Sequence, residues 1–215
     1  MNAETTLRLA QAVQSRGARR FCYFSSQVAG LGAGEYALSK FLAEKFLLNL
    51  NWEKLSILRP TEVISGSGSE GIDQLISLAK RFHFFPWIID NPEVIYAPTT
   101  NEAIIDWTVN DLLDHSVSRS IKICVLSGPA ISSSSLSRWI AKKYSAIPVP
   151  IWLGALNFFA KFFGIFGVHL ISPDQVLRLR GKRFQVPRQG LEISRVTLPS
   201  PMDNLFLPDR KPTGV

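Results

Sequence analysis

Tyr36 and Lys40 stand four residues apart in the run Glu35-Tyr-Ala-Leu-Ser-Lys40. On a helix that spacing puts two side chains on one face, with Cβ atoms about 5–6 Å apart. A free phenol titrates near ~10 and is a poor base at neutral pH. A neighbouring ammonium favours the phenolate and lowers that value. Lowering it by about three units takes about 4 kcal/mol of differential interaction. A phenol so tuned can exchange a proton with a substrate hydroxyl or carbonyl, and a serine hydroxyl nearby can hold the same oxygen. Ser25 and Ser26 are candidates for that hydroxyl. The same pair is also compatible with a solvated lysine beside a half-buried helical tyrosine. The surrounding elements must decide between the two.

Those elements follow in an ordered series. Residues 3–16 read as an amphipathic helix ended by Gly17. Phe21-Cys-Tyr-Phe24 is an apolar run closed by Ser25-Ser26, which predicts a buried strand. Gly30, Gly32 and Gly34 break the chain before a helix over 36–50, whose core face is Phe41, Leu42, Phe46 and Leu47. Leu55–Leu58 predicts the next strand, closed by Arg59-Pro60. Alternating helices and strands joined by short turns predict an α/β fold with a parallel sheet.

The ordered set of Ser-Ser at a strand end, a glycine loop, Tyr36 and Lys40 on a helix, and a strand ending Leu58-Arg59-Pro60 resembles the short-chain dehydrogenase/reductase superfamily. The extended branch, the NAD-dependent epimerase/dehydratases of nucleotide sugars, is the most similar. The resemblance implies Tyr36 as catalytic acid/base and Lys40 as the residue that binds cofactor ribose and tunes Tyr36. It implies Ser26, or else Ser25, as the hydroxyl that orients the carbonyl, with Ser25 also at the cofactor. Pro60 would lie beside the nicotinamide, unless it only ends a strand. Gly66, in Val63-Ile-Ser-Gly-Ser-Gly68, would contact the substrate. Arg178, in a basic run with Arg180, Lys182 and Arg183, would hold a substrate pyrophosphate, unless that run is a solvated face. The implied cofactor is NAD or NADP, and the implied substrate a nucleotide sugar or a related alcohol or ketone.

One departure from the family is large. Its members open on a strand, a Gly-x-x-Gly-x-x-Gly turn and a helix whose backbone N–H groups hold the pyrophosphate. The glycines at 30, 32 and 34 precede the tyrosine helix instead. The expectation is therefore an N-terminally truncated chain with a partial Rossmann-like sheet over residues 1–126. A small, mainly helical substrate lobe over 127–195 and a flexible, proline-containing tail over 196–215 would complete it. The alternative function is a non-catalytic scaffold or accessory protein with a degenerate cofactor site.

The rest of the chain refines this expectation. Residues 71–84, 99–113 and 135–144 read as helices, with Thr100 or Asn101 and the serine run 132–135 as caps. Val94–Ala97 and Ile121–Leu126 read as strands. The aromatic cluster Phe82–Trp87 reads as core or as a wall of the substrate cleft; lysine and arginine are too sparse around it for a nucleic-acid platform. Residues 147–171 are the most apolar stretch. They read as a helix over the substrate cleft, or as an interfacial helix of a peripheral membrane protein, because Pro148, Pro150, Asn157 and Lys161 argue against a span.

The net charge is +7, with lysine and arginine spread along the sequence, which suits an anionic partner such as a nucleotide or an acidic surface. Cys22 and Cys124 fall in apolar strands and read as buried thiols. His83, His115 and His169 lack ligand spacing, so no metal site is expected. The first residues carry no basic, apolar leader, so a cytoplasmic protein is the expectation; a homodimer is compatible with the sequence, which does not fix the oligomeric state.

Overall fold

The structure is a computed structural model and describes residues 3–66, 71–89, 95–114, 120–152 and 193–198. Its centre is a strand buried on both faces. In β2 (Lys54–Pro60) every residue but the last is buried. β2 pairs in parallel with β1 (Arg20–Phe24) on one side and β7 (Ser120–Ser127) on the other, in the registers Phe21↔Leu55 and Ile57↔Ile123. β10 (Ile193–Thr197) extends the sheet beyond β7, giving the order β1-β2-β7-β10, all parallel.

Alternation along the strands sorts side chains into two layers. Leu55, Ile57 and Ile123 face α1 (Ala3–Ser15) and α2 (Glu35–Leu48), where they meet Ala10, Leu47 and Trp52. Leu58, Cys124 and Leu126 face α4 (Asn101–Leu113) through Ile104. A parallel sheet covered on both faces is the expected α/β arrangement. Gly34 is the N-cap of α2, and its φ of 94° suits a residue without Cβ. Thr100 caps α4 by accepting the Ala103 N–H.

A second core lies apart from this sheet. α3 (Gly71–Phe82) and α5 (Ser133–Tyr144) pack Ile72, Ile76, Leu136 and Ile140 against Phe85. Phe85 belongs to β4 (Phe84–Ile89), which pairs in parallel with β9 (Ile147–Trp152). Short pairs complete the region: β3 (Val63–Ile64) with β6 (Thr99–Thr100), and β5 (Ile95–Tyr96) with β8 (Ile131–Ser132). Ser132 caps α5, its hydroxyl accepting the Ser135 N–H.

Three expectations change. The aromatic cluster is a strand from Phe84, with Phe85 in the core. The helix expected to begin at 147 begins as a strand, and the rest of 153–171 lies outside the described residues. Pro86, Pro148 and Pro150 cost little there, because a two-stranded pair has only edge strands. Residues 193–197, expected at the end of a helical lobe and the start of a tail, form the outer strand of the main sheet. Both cysteines are free thiols in that sheet, and burial pushes the Cys22 thiol up to about 11. No helix among the described residues is long and apolar enough to cross a membrane.

Candidate functional site

α2 places Tyr36 in its first turn and Lys40 one turn later, beside the end of β1. Tyr36 is 41 % exposed, and Lys40 is half-buried. The Lys40 Nζ donates to the Phe24 carbonyl at 2.7 Å. It lies 5.8 Å from the centroid of the Tyr36 ring and 5.1 Å from that of Tyr23. The ammonium is thus held by the last carbonyl of the strand, between two aromatic rings. Burial lowers the Lys40 pKa from its ordinary value, and the nearby Glu44 carboxylate opposes that shift. Tyr23 is buried, and its phenol is pushed up to about 12, chiefly by desolvation, with a Thr6 hydrogen bond opposing and Glu44 adding to the rise. Of the two phenols beside Lys40, Tyr36 is the one open to a ligand.

The serines face opposite ways, as neighbours in an extended segment do. The Ser25 N–H continues the ladder to the Leu58 carbonyl at 2.7 Å, and its buried hydroxyl donates to Glu44 Oε1 at 2.5 Å. Ser26 is half-buried, and its Oγ accepts the Val28 N–H at 3.4 Å. Pro60 ends β2 alongside: its carbonyl accepts the Gln27 N–H at 3.1 Å. The carboxyl ends of β1 and β2 therefore bring Ser25, Ser26, Lys40 and Pro60 to one edge of the sheet. In open α/β sheets that edge is where ligands bind. Gly66, at φ 76°, stands in the separate turn between β3 and α3, where the Ser65 N–H and hydroxyl both bond Asp73 at 2.8 and 2.5 Å. Arg178 lies outside the described residues.

Two further groups at this edge are not distinguished by the sequence alone. The first is a buried ion pair under the site. Arg59 Nε and Nη2 reach Glu44 Oε1 and Oε2 at 2.8 and 2.6 Å, a bidentate fork with both side chains fully buried. Glu44 follows Lys40 by one helical turn and Tyr36 by two, so this fork fixes how α2 is rotated against β2. The second is Glu62. It accepts Gln27 Nε2 at 2.7 Å and the Ala97 N–H at 3.0 Å, tying the loop after β1 to the loop after β5. A Lys-x-x-x-Glu spacing was the available hint for Glu44, but on a helix it is indistinguishable from a solvated charged face.

No family model and no curated protein matches the chain. Solved structures do match it in fold. The NAD-dependent NDP-hexosamine 5,6-dehydratase TunA, involved in tunicamycin biosynthesis, is 16 % identical with a TM-score of 0.57, the match covering 70 % of this chain and 55 % of that one. UDP-glucuronic acid 4-epimerase from Bacillus cereus, in complex with UDP-glucuronic acid and NAD, is 17 % identical with a TM-score of 0.58 over 70 % and 54 %. The Bordetella bronchiseptica enzyme WbmG, in complex with NAD and UDP, is 14 % identical with a TM-score of 0.54 over 67 % and 49 %. The chain spans about half the length of these structures and shares their Rossmann-like α/β fold.

Proposed function

We propose that this chain carries the catalytic edge of an NAD(P)-dependent oxidoreductase of the epimerase/dehydratase kind, acting on a nucleotide sugar or a related alcohol or ketone. The observation that supports it best is the seat of Lys40: its ammonium is anchored on the Phe24 carbonyl and faces the exposed Tyr36 from the same side of α2. In this role Tyr36 moves the proton at the substrate oxygen. Lys40 favours the phenolate and offers its remaining N–H groups to ribose hydroxyls. Ser26 steadies the same substrate oxygen, while Ser25, turned toward Glu44, keeps the strand end in place.

The residues present fit the nicotinamide–ribose end of a dinucleotide. A half-buried lysine held at a strand carbonyl, an exposed phenol one turn away and Pro60 at the next strand end lie on one sheet edge. Bound there, the cofactor supplies hydride transfer. The sequence has no Gly-x-x-Gly-x-x-Gly turn for the pyrophosphate, and that favours the second reading, a non-catalytic scaffold with a degenerate cofactor site.

Titration of the purified chain with NADH and NADPH, read by nicotinamide fluorescence, separates the two readings. Saturable binding that weakens at least tenfold in Lys40→Met is expected. Where turnover of UDP-sugars is measurable, Tyr36→Phe lowers kcat by about 10²–10⁴-fold, the contribution of a positioned acid/base. Absence of binding at millimolar cofactor would sink the oxidoreductase reading for this chain.

A further inference from the structure

The region built from α3, α5, β4 and β9 carries a surface that the proposed chemistry leaves unused. Two helix-to-strand turns meet there with one residue pattern. α3 ends in Lys80-Arg81-Phe82 and α5 in Lys142-Lys143-Tyr144. Each is followed by a non-glycine residue in the left-handed region, His83 at φ 54° and Ser145 at φ 50°. The two strands that follow begin side by side: Phe84 pairs with Ile147, and the Ile147 N–H donates to the His83 carbonyl at 2.8 Å.

Over the first residues of the two strands, alternation separates two faces. Phe85 and Trp87 pack with Ile76 and Ile140 in the second core. Phe84, Ile147 and Val149 take the opposite face and are exposed, Ile147 by 71 %. Phe82 widens this face, its ring 5.7 Å from that of Phe84. Exposed cations stand in the last turns of both helices, just before these strands begin. Arg81 lies over the Phe82 ring at 5.1 Å, and Lys80 and Lys143 both lie over the Tyr144 ring, at 5.3 and 5.8 Å. Lys80, Arg81, Lys142 and Lys143 form no ion pair among the described residues. Asp73, whose charge reaches Tyr144, is itself buried and bonded to Ser65.

We infer that this face docks on an anionic lipid membrane, with Phe82, Phe84, Ile147 and Val149 entering the headgroup–acyl boundary and the four cations meeting lipid phosphates. The chemistry selects this partner over others. Aliphatic side chains at the centre offer nothing to a phosphate or a base edge, so a nucleic acid would use only the rim. A second copy on a two-fold axis would set two cation clusters against each other, and like charges across an interface are unfavourable. At a bilayer surface, apolar side chains, aromatic rings and long basic side chains each find their own depth. The inference is independent of the oxidoreductase reading, since it uses none of that site's residues.

Co-sedimentation of the whole chain with vesicles tests it. Vesicles of phosphatidylcholine with phosphatidylserine should retain the chain, pure phosphatidylcholine much less, and raised salt should weaken retention. Each cation near an anionic leaflet raises partitioning about fivefold, so a variant with Lys80→Gln, Arg81→Gln, Lys142→Gln and Lys143→Gln should lose on the order of 10²-fold or more. Phe84→Ser with Ile147→Ser should lose about tenfold through the apolar area withdrawn from the boundary. All six positions are exposed, and unchanged melting of both variants confirms that they fold. Equal retention on the two vesicle types, wild-type retention of the charge variant, or self-association abolished by Ile147→Ser would overturn the inference. So would displacement from vesicles by a nucleic acid whose own binding survives Phe84→Ser with Ile147→Ser.

Discussion

The two ends of β2 each bury a carboxylate, a serine hydroxyl and a basic group, and they do so differently. At the carboxyl end Glu44 takes the Arg59 fork and the Ser25 hydroxyl, one cation to one carboxylate, with no exposure of either charged side chain. At the amino end Asp111 takes the Ser56 hydroxyl at 2.6 Å and is shared by two lysines. Lys122 bonds it directly, and the Lys54 Nζ lies 3.6 Å away. Lys54 also donates to the Asp111 and Asp114 carbonyls, closing the C-terminal end of α4, where the helix dipole favours a cation. Lys122 is a third exposed and leans on the Trp107 ring at 5.2 Å. The amino end is therefore a partly wet clamp on the last turn of α4. The carboxyl end is dry and lies under the helix that carries Tyr36 and Lys40. The first kind of network ties a helix to the sheet; the second also sets the angle of a candidate site.

The largest difference between the ends should appear on removing each carboxylate. Glu44→Gln leaves the Arg59 charge buried without a counter-charge, which costs about 3–5 kcal/mol. Urea unfolding would show this as a large fall in the midpoint, and Arg59→Met added to Glu44→Gln should recover much of it. A loss below about 1 kcal/mol would mean that water reaches the pair, and the contrast between a dry and a wet end would fail. Asp111→Asn should cost less than Glu44→Gln, because Lys122 can turn to solvent and Lys54 keeps its two carbonyl acceptors.

Asp111 also predicts a pH dependence. Burial raises its pKa, but hydrogen bonds from Lys122 and Ser56 and the charges of both lysines outweigh that, and the net shift is downward. A carboxyl lowered in the folded state binds fewer protons there than when unfolded, so stability rises with pH through that window. The contribution of Asp111 is complete above about pH 4 and is lost as pH falls from there through the lowered value. Wild type and Asp111→Asn should therefore draw together in stability as pH falls below the ordinary carboxylate range, read by urea unfolding across acid pH. Parallel curves would mean that the folded state does not favour the Asp111 carboxylate over its protonated form.

The sheet was legible in the sequence where signals are local. Phe21–Phe24, the glycines before Tyr36, and Leu55–Leu58 with Arg59-Pro60 mark β1, α2 and β2 without reference to the rest of the chain. β4 and β9 were not legible, because Pro86, Pro148 and Pro150 read as breakers and each strand's partner lies some sixty residues away. β10 was missed because Ser194, Arg195 and Thr197 are polar, and an edge position tolerates that. At the site, the spacing of Tyr36 and Lys40 is a helical property and could be read. The roles of Ser25 and Ser26 could not, since which of two neighbours turns inward depends on where Glu44 sits. Arg59 reads only as the close of a strand and Glu44 as one more helical residue until the fold brings them together.

The smallest expected effects test the comparison most finely. Ser25→Ala and Ser56→Ala each remove one hydroxyl donated to a buried carboxylate, at 2.5 and 2.6 Å. A hydrogen bond to a charged group contributes about 1.5–3 kcal/mol, so the two variants should lose similar stability in thermal or urea unfolding. Their effect on NADH binding should differ. Ser25 holds Glu44, one turn from Lys40, and its own N–H continues the β1 ladder beside the Phe24 carbonyl that anchors the Lys40 ammonium. Ser25→Ala leaves Glu44 on the Arg59 fork but loosens its tie to the end of β1, which should weaken NADH binding severalfold, whereas Ser56→Ala should leave binding unchanged at matched stability. Equal losses of binding would show that site geometry follows global stability. Loss in Ser25→Ala alone would show that the Ser25–Glu44 bond, beyond its share of stability, holds the tyrosine–lysine pair in place.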